Sequence, residues 1–166
     1  MAGSPTSGKP AVLTLAIRPA AQADRAAILS LADRLADFGP TSRPAALLAQ
    51  RERRALADAL SGMPAGSLLL KAEHEKLGLV GILLLDRRRD YFTDEEHGHI
   101  AILAVAREAE GRGVGRALLA AAGDWGRGEG FRRLTLSVFT ENRRAREFYE
   151  RQGWRAELET WYKTLE

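Results

Sequence analysis

The chain has 166 residues, 45% of them apolar and 28% charged, with a formal net charge of +3 and no cysteine. That is enough for one domain with its own core, and too apolar for a disordered chain. The missing cysteine excludes disulfides, thiolate metal sites and a cysteine nucleophile, and no apolar run is long enough to span a bilayer.

Residues 1–11, rich in Gly, Ser and Pro, read as a flexible tail. They lack the basic start and long apolar stretch of a secretory signal, so the cytoplasm is the default compartment. Residues 12–166 read as a single domain. Val12 to Arg18 alternates as a first strand. Ile28, Leu31, Leu35 and Phe38 recur at helical spacing, and Gly39-Pro40 stops that helix. Pro44 suits the first turn of a second helix that carries Leu48, Leu56 and Leu60 on one face. Ser67–Glu73 and Leu77–Arg87 form a strand pair, Asp90–Gly98 a polar connection, and Gly98–Val105 the next strand. From Val114, the positions Leu118, Ala122 and Trp125 make one helical face, which Gly126, Gly128 and Gly130 end. Leu134, Leu136 and Val138 alternate as a strand. Asn142 is suited to cap a helix that reaches Gln152, with Gly153 as its stop. Trp154–Glu157 and Trp161–Leu165 close the chain as two short strands. The order is βααβββαβαββ, a mixed α/β domain without internal repeats.

The most informative segment is Glu110-Gly-Arg-Gly-Val-Gly-Arg116, placed between an apolar strand and a helix start. Glycines there let several N–H groups converge on one point, and the helix dipole favours negative charge at that point. A diphosphate suits such a cradle. The loop ends Gly115-Arg116-Ala117, not in the Gly-Lys-Ser/Thr of a Walker loop. Arg116 also stands where a dinucleotide fingerprint needs its third glycine. Taken alone, the loop reads more readily as a flexible turn before a helix.

Downstream lies Asn142-Arg-Arg-Ala-Arg-Glu-Phe-Tyr-Glu-Arg-Gln-Gly-Trp154. Together the two segments resemble the GNAT superfamily of N-acetyltransferases. The loop is similar to that family's acetyl-CoA signature Q/R-x-x-G-x-G/A, and the second segment to its N-x-x-A-x-x-x-Y-x-x-x-G-F/W element. The match covers about Gly98 to Trp154. One position departs, since Glu110 stands where the family has Gln or Arg. The resemblance implies a mixed central sheet splayed between the strands ending near Val105 and Val138, flanked by helices, with acetyl-CoA as co-substrate in the opening. It implies that backbone groups of Leu103, Ala104 and Val105 serve the pantetheine arm and the acetyl oxygen. The diphosphate would fall to Gly111, Arg112, Gly113, Val114, Gly115 and Arg116, and Asn142 falls on a further cofactor position. It allows a homodimer without requiring one.

Acetyl transfer to an amine needs a neutral amine, a donor for the developing oxyanion and help for the departing thiolate. The resemblance makes Tyr149 the acid at the sulfur. On its own helix Tyr149 also reads as a core aromatic beside Phe148. Some family members carry a glutamate six residues ahead of the position of Val105. Here that place holds His99, a candidate base alongside the plainer reading of a histidine at a strand start. Another family glutamate position, twelve residues before the tyrosine, is Ser137 and offers no carboxylate. His97 and His99 share a strand face, but no third ligand accompanies them and no metal is expected. Asp90, Asp94, Glu95 and Glu96 read as a solvated loop more than as an attractor for a cationic amine. The basic clusters Arg51–Arg54 and Arg87–Arg89 are scattered among acids, unlike a nucleic-acid face, whereas Arg143, Arg144 and Arg146 follow the cofactor helix start, where they could meet the phosphates of CoA. The expected activity is an N-acetyltransferase acting on a primary amine of a small molecule or on an exposed amino group. The alternative is a CoA-binding regulatory module with little turnover. The acceptor, shaped in this family by the segment Phe38–Pro44 and the C-terminal strands, is not legible.

Overall fold

The computed structural model describes residues 11–165. Apart from Ala11, the expected N-terminal tail lies outside the described residues, as does the side chain of Phe38. The regular elements are β1 (Ala16–Pro19), α1 (Arg25–Ala32), α2 (Ala45–Ser61), β2 (Leu68–His74), β3 (Gly78–Arg89), β4 (Glu96–Val105), α3 (Val114–Gly128), β5 (Leu134–Leu136) and α4 (Arg143–Arg151). The strands form one open sheet in the order β1-β2-β3-β4-β5. The first four are antiparallel neighbours, and β5 joins β4 in parallel.

β3 organises the sheet. Its stretch Val80-Gly-Ile-Leu-Leu-Leu85 is buried without interruption, which is what a central strand covered on both faces requires. On one face α3 comes so close that a Cβ on Gly81 would lie 2.6 Å from a Val114 methyl. α1 reaches β3 and β4, and α2 packs on α1. Ile28, Leu56, Leu83, Leu85 and Leu118 are fully buried at these junctions.

Several boundaries differ from those the sequence suggests. β1 begins at Ala16 rather than Val12, because the N–H of Leu13 bonds the carbonyl of Arg112 at 3.1 Å. The segment ahead of β1 therefore braces the glycine loop instead of lengthening the strand. β4 starts at Glu96 and includes His97. α3 continues through Gly126 to Gly128. A glycine costs a helix about 1 kcal/mol relative to alanine, and burial of Leu118, Leu119 and Ala122 on the sheet outweighs it. Pro44 is the cap of α2, one residue before its first turn. Residues 154–165 carry no strand, so neither closing strand forms among the described residues. Past the half-buried Trp154, Leu158, Trp161, Tyr162 and Leu165 stand in solvent, with Trp161 86% exposed, and burial is what rewards a strand pairing in water.

Leu118→Ala should therefore lower stability by about 2–5 kcal/mol, the range for emptying a packed leucine site. Leu165→Ala should stay within about 0.5 kcal/mol. Urea unfolding of the two variants checks both expectations.

Candidate active site

β4 extends five residues beyond its last pairing with β5. The parallel register runs Gly98↔Leu134, His99↔Thr135 and Ile100↔Leu136, and stops. On its other side β4 stays paired with β3 as far as Gly81↔Val105. That register skips one residue, since Leu84 faces Ile102 and Leu85 faces Ile100. Ala101 is thus a bulge, placed where β5 departs. A bulge bends its strand and raises its twist. Beyond it, the β5-side edge of residues 101–105 has no strand partner among the described residues. The side chains of Leu103 and Val105 are half-buried, while Ala104 is buried, so Ala104 can contribute through its backbone alone.

The free edge leads directly into the glycine loop. The N–H of Ala106 bonds the carbonyl of Val80 at 2.9 Å, tying the strand end to the core. A short 3-10 turn over Arg107–Ala109 follows, and the chain reverses through Gly111 (φ 71°) and Gly113 (φ 88°). These left-handed angles are costly for any residue with a Cβ. At Gly113 a Cβ would also meet Val12 at 3.2 Å. Gly113 precedes α3 directly, and among the described residues no side-chain bond caps that helix. The first helical bond is from the N–H of Ala117 to the carbonyl of Gly113, at 3.0 Å. The N–H groups of Val114, Gly115 and Arg116 belong to the turn that a helix leaves without intrahelical acceptors. Such a helix start favours an anion.

α4 closes the other side. Its first turn is capped by Asn142, whose Oδ1 accepts from the N–H of Ala145 at 3.0 Å. That leaves the Asn142 amide group as its remaining donor. Gly115 brings the two helices together, because the Phe148 ring sits 3.1 Å from where a Gly115 Cβ would be. Gly115 is therefore a packing residue as well as a loop residue, and Gly113 is the cleaner position at which to disturb the cradle. Tyr149 follows Phe148, with ring centroids 5.2 Å apart, and Trp154 flanks it at 6.0 Å. Burial pushes the Tyr149 phenol up to about 12.

His99 sits one residue pair before the strands part. Its side chain is 8% exposed, and its Nδ1 lies 2.8 Å from the Thr135 hydroxyl on β5. Burial, reinforced by the charge of Arg88 and by His97, brings its pKa down to about 4. The imidazole is neutral at pH 7. His97 is equally buried, and its Nδ1 has no hydrogen-bond partner among the described residues. Among those residues no three His, Asp or Glu side chains cluster as metal ligands do. Asp90, Asp94 and Glu96, at the β3–β4 turn, are paired with Arg133, Arg89 and Arg87.

Other contacts had no signal in the sequence. A 3-10 segment, Asp33–Phe38, continues α1, and residues 33–43 run across the mouth between the ends of β4 and β5. On the β4 side Asp37 pairs with Arg107 at 2.6 Å, and Arg34 pairs with Glu110. On the β5 side the N–H of Thr41 bonds the Glu141 carboxylate at 3.2 Å, and the Arg43 guanidinium lies 5.7 Å from the Phe139 ring centre. Glu110, at the position that departs from the loop signature, joins Arg34 to Arg144 of α4, the latter at 2.6 Å.

The site thus joins a strand edge, an uncapped helix start and a second helix laid across that start. The acetyltransferase (GNAT) family model matches residues 30–154, well over half of the chain, and the chain belongs to that family. Solved structures share its fold. A Trypanosoma brucei acetyltransferase is 23% identical, with TM-score 0.66 over 92% of this chain and 100% of its own. An aminoglycoside N-acetyltransferase in complex with CoA is 18% identical, with TM-score 0.72 over 93% and 97%. A ribosomal-protein-alanine N-acetyltransferase from Brucella melitensis is 18% identical, with TM-score 0.68 over 92% and 100%. No curated protein sequence matches the chain. Among the described residues no helix is long and apolar enough to cross a membrane.

The lowered pKa of His99 has a consequence for stability. Between about pH 6.5 and pH 4 the unfolded chain binds a proton at this residue and the folded chain does not, so stability falls as pH falls through that window. The full effect is roughly 3 kcal/mol at the acid end. Thermal unfolding of the wild type should steepen with acidification across this range, and His99→Gln should flatten that dependence.

Proposed function

We propose that the protein transfers acetyl from acetyl-CoA directly to a primary amine of a small molecule or to an exposed amino group. The observation that carries this reading is the junction of the unpaired β4 edge, the uncapped start of α3 and the α4 helix packed against it at Gly115. A pantetheine arm, with its amides, can add to such an edge as a peptide strand adds to a sheet. Backbone groups of Leu103, Ala104 and Val105 would take the arm, and those of Gly111 to Arg116 the diphosphate. Asn142 would offer its free amide group. Two structural neighbours act by name on an aminoglycoside and on a ribosomal-protein alanine, which supports an amine acceptor without choosing one.

In this reading the amine nitrogen bonds to the acetyl carbon, the carbon–sulfur bond breaks, and one proton leaves the nitrogen. His99, at about 4, cannot deprotonate an alkylammonium of pKa about 10.4. The amine must reach the site neutral. Once the carbon–nitrogen bond forms, that nitrogen becomes acidic, and the Nε2 of His99 or a water on it can receive the proton. This requires the tautomer in which Nδ1–H donates to the Thr135 hydroxyl. Tyr149, at about 12, holds its proton well above the ~8.5 of an ordinary thiol. It would therefore stabilise the leaving sulfur by donating a hydrogen bond, with the thiol's proton finally drawn from solvent.

A second reading, a CoA-binding module with little turnover, draws support from the weakness of a base at about 4. Thiol release from acetyl-CoA across a panel of primary amines separates the two. Sustained release with at least one amine is expected. CoA binding with no release on any amine would favour the module. With an accepted amine in hand, Tyr149→Phe should lower kcat by about 10–100-fold, as loss of a hydrogen bond to a charged group does, while the acetyl-CoA Kd changes little, since the ring remains. An unchanged kcat under conditions where chemistry limits the rate would leave Tyr149 a packing role alone.

A further inference from the structure

Glu110 poses an electrostatic problem for a diphosphate cradle. It starts the loop, its side chain is 25% exposed, and a carboxylate there repels an incoming anion. The structure resolves this with two arginines. Glu110 Oε1 meets Nη2 of Arg34, and Glu110 Oε2 meets Nη2 of Arg144 at 2.6 Å. The arginines differ in setting. Arg34 is 15% exposed and belongs to the segment that crosses the mouth, whereas Arg144 is 64% exposed in the first turn of α4. Arg34 therefore offsets the carboxylate charge from the protein side. Arg144 gives Glu110 one of its five N–H donors, and its side chain stays largely exposed beside the residue that starts the loop.

We propose that Glu110 is a positioning residue, which fixes the guanidinium of Arg144 at the mouth of the glycine loop as the side-chain ligand for the diphosphate of the acyl carrier. The inference rests on the acetyl-CoA reading above. An arginine with no partner in the free protein gives up rotamer entropy when it meets a phosphate. One held by a carboxylate has already lost that freedom, and its planar donor fork remains open for a phosphate oxygen. Arg34, Glu110 and Arg144 together carry a net positive charge at the cradle. The cation therefore reaches the loop from α4, 34 residues further along the chain, and not from the loop's first residue.

The sign of one substitution makes this testable. If Glu110 acted on the anion by charge alone, Glu110→Ala would tighten CoA binding. If it positions Arg144, Glu110→Ala weakens binding although a negative charge has gone. Calorimetry with CoA and with dephospho-CoA, which keeps the diphosphate and lacks the 3′-phosphate, should show Arg144→Ala weakening both ligands by roughly tenfold or more, as loss of a charge-assisted bond does. Glu110→Ala should weaken both in the same direction, and the double variant should be little worse than Arg144→Ala. Arg144→Ala leaves the Arg34–Glu110 pair intact, so it carries the test even if Glu110→Ala unfolds. Unchanged affinity in Arg144→Ala, or tighter binding in a folded Glu110→Ala, overturns the proposal. A loss confined to CoA overturns the assignment to the diphosphate. A wild-type protein that binds neither ligand overturns the acetyl-CoA reading itself, an outcome distinct from normal wild-type binding with an indifferent Arg144.

Discussion

The parting of β4 from β5 after Ile100 and Leu136 is the constraint on which the rest of the molecule depends. A parallel pair buried beneath helices would ordinarily run on, because every unpaired backbone group under cover is costly. Here the bulge at Ala101 bends β4 where the pairing ends. β3 holds the other edge of β4 in register to Val105, so the strand cannot collapse into the gap. The result is a rigid edge with one free side, continuous with a loop whose two left-handed glycines turn it into the first turn of α3. A free strand edge is normally a liability. This one leads into a helix start without a side-chain cap, and one extended ligand with amides at one end and phosphates at the other can satisfy both.

The elements around the opening are tied to it by charge as much as by packing. The segment over residues 33–43 reaches the β4 side through Asp37–Arg107 and Arg34–Glu110, and the β5 side through Thr41 and Arg43. Single exposed ion pairs contribute about 0–1 kcal/mol, and their value here lies in geometry more than in stability. They hold the connection between α1 and α2 across the two strand ends.

The fold was legible where burial and periodicity coincide, and the site where backbone conformation dictates residue type. The apolar run in β3, the helical face of α3 and the Asn142 cap each follow from local rules. The loop was readable because glycine alone accepts φ near 71° and 88° without strain. What escaped is non-local. The salt link between Arg34 and Glu110 spans 76 residues, and nothing in either neighbourhood announces it. The loss of strand 12–15 to the glycine loop has the same origin, since a bond from Leu13 to Arg112 competes with extension of β1. The closing strands illustrate the opposite limit. Alternation around Trp154–Leu165 satisfies the strand pattern, yet pattern alone does not supply a buried face, and beyond the half-buried Trp154 the large apolar side chains remain exposed.

The two candidate catalytic groups share one physical feature, since burial drives each toward its uncharged form. His99 is lowered to about 4 and Tyr149 raised to about 12, so neither changes charge across the physiological range. A pair tuned for proton exchange would have values drawn toward neutrality. A pair pushed apart enters the proposed reaction uncharged, with Tyr149 donating a hydrogen bond to the developing thiolate and His99 accepting a proton only after the nitrogen has become acidic. Under the proposed activity, the pH dependence near neutrality then belongs to the acceptor. The rate with subsaturating amine should rise as the ammonium loses its proton, and the midpoint should move with the pKa of the amine when one accepted amine is exchanged for another. A rate profile whose midpoint stays fixed near pH 6–7 across amines of different basicity would mean that a protein group of ordinary pKa controls the reaction, and would remove the charge-invariant pair from the mechanism.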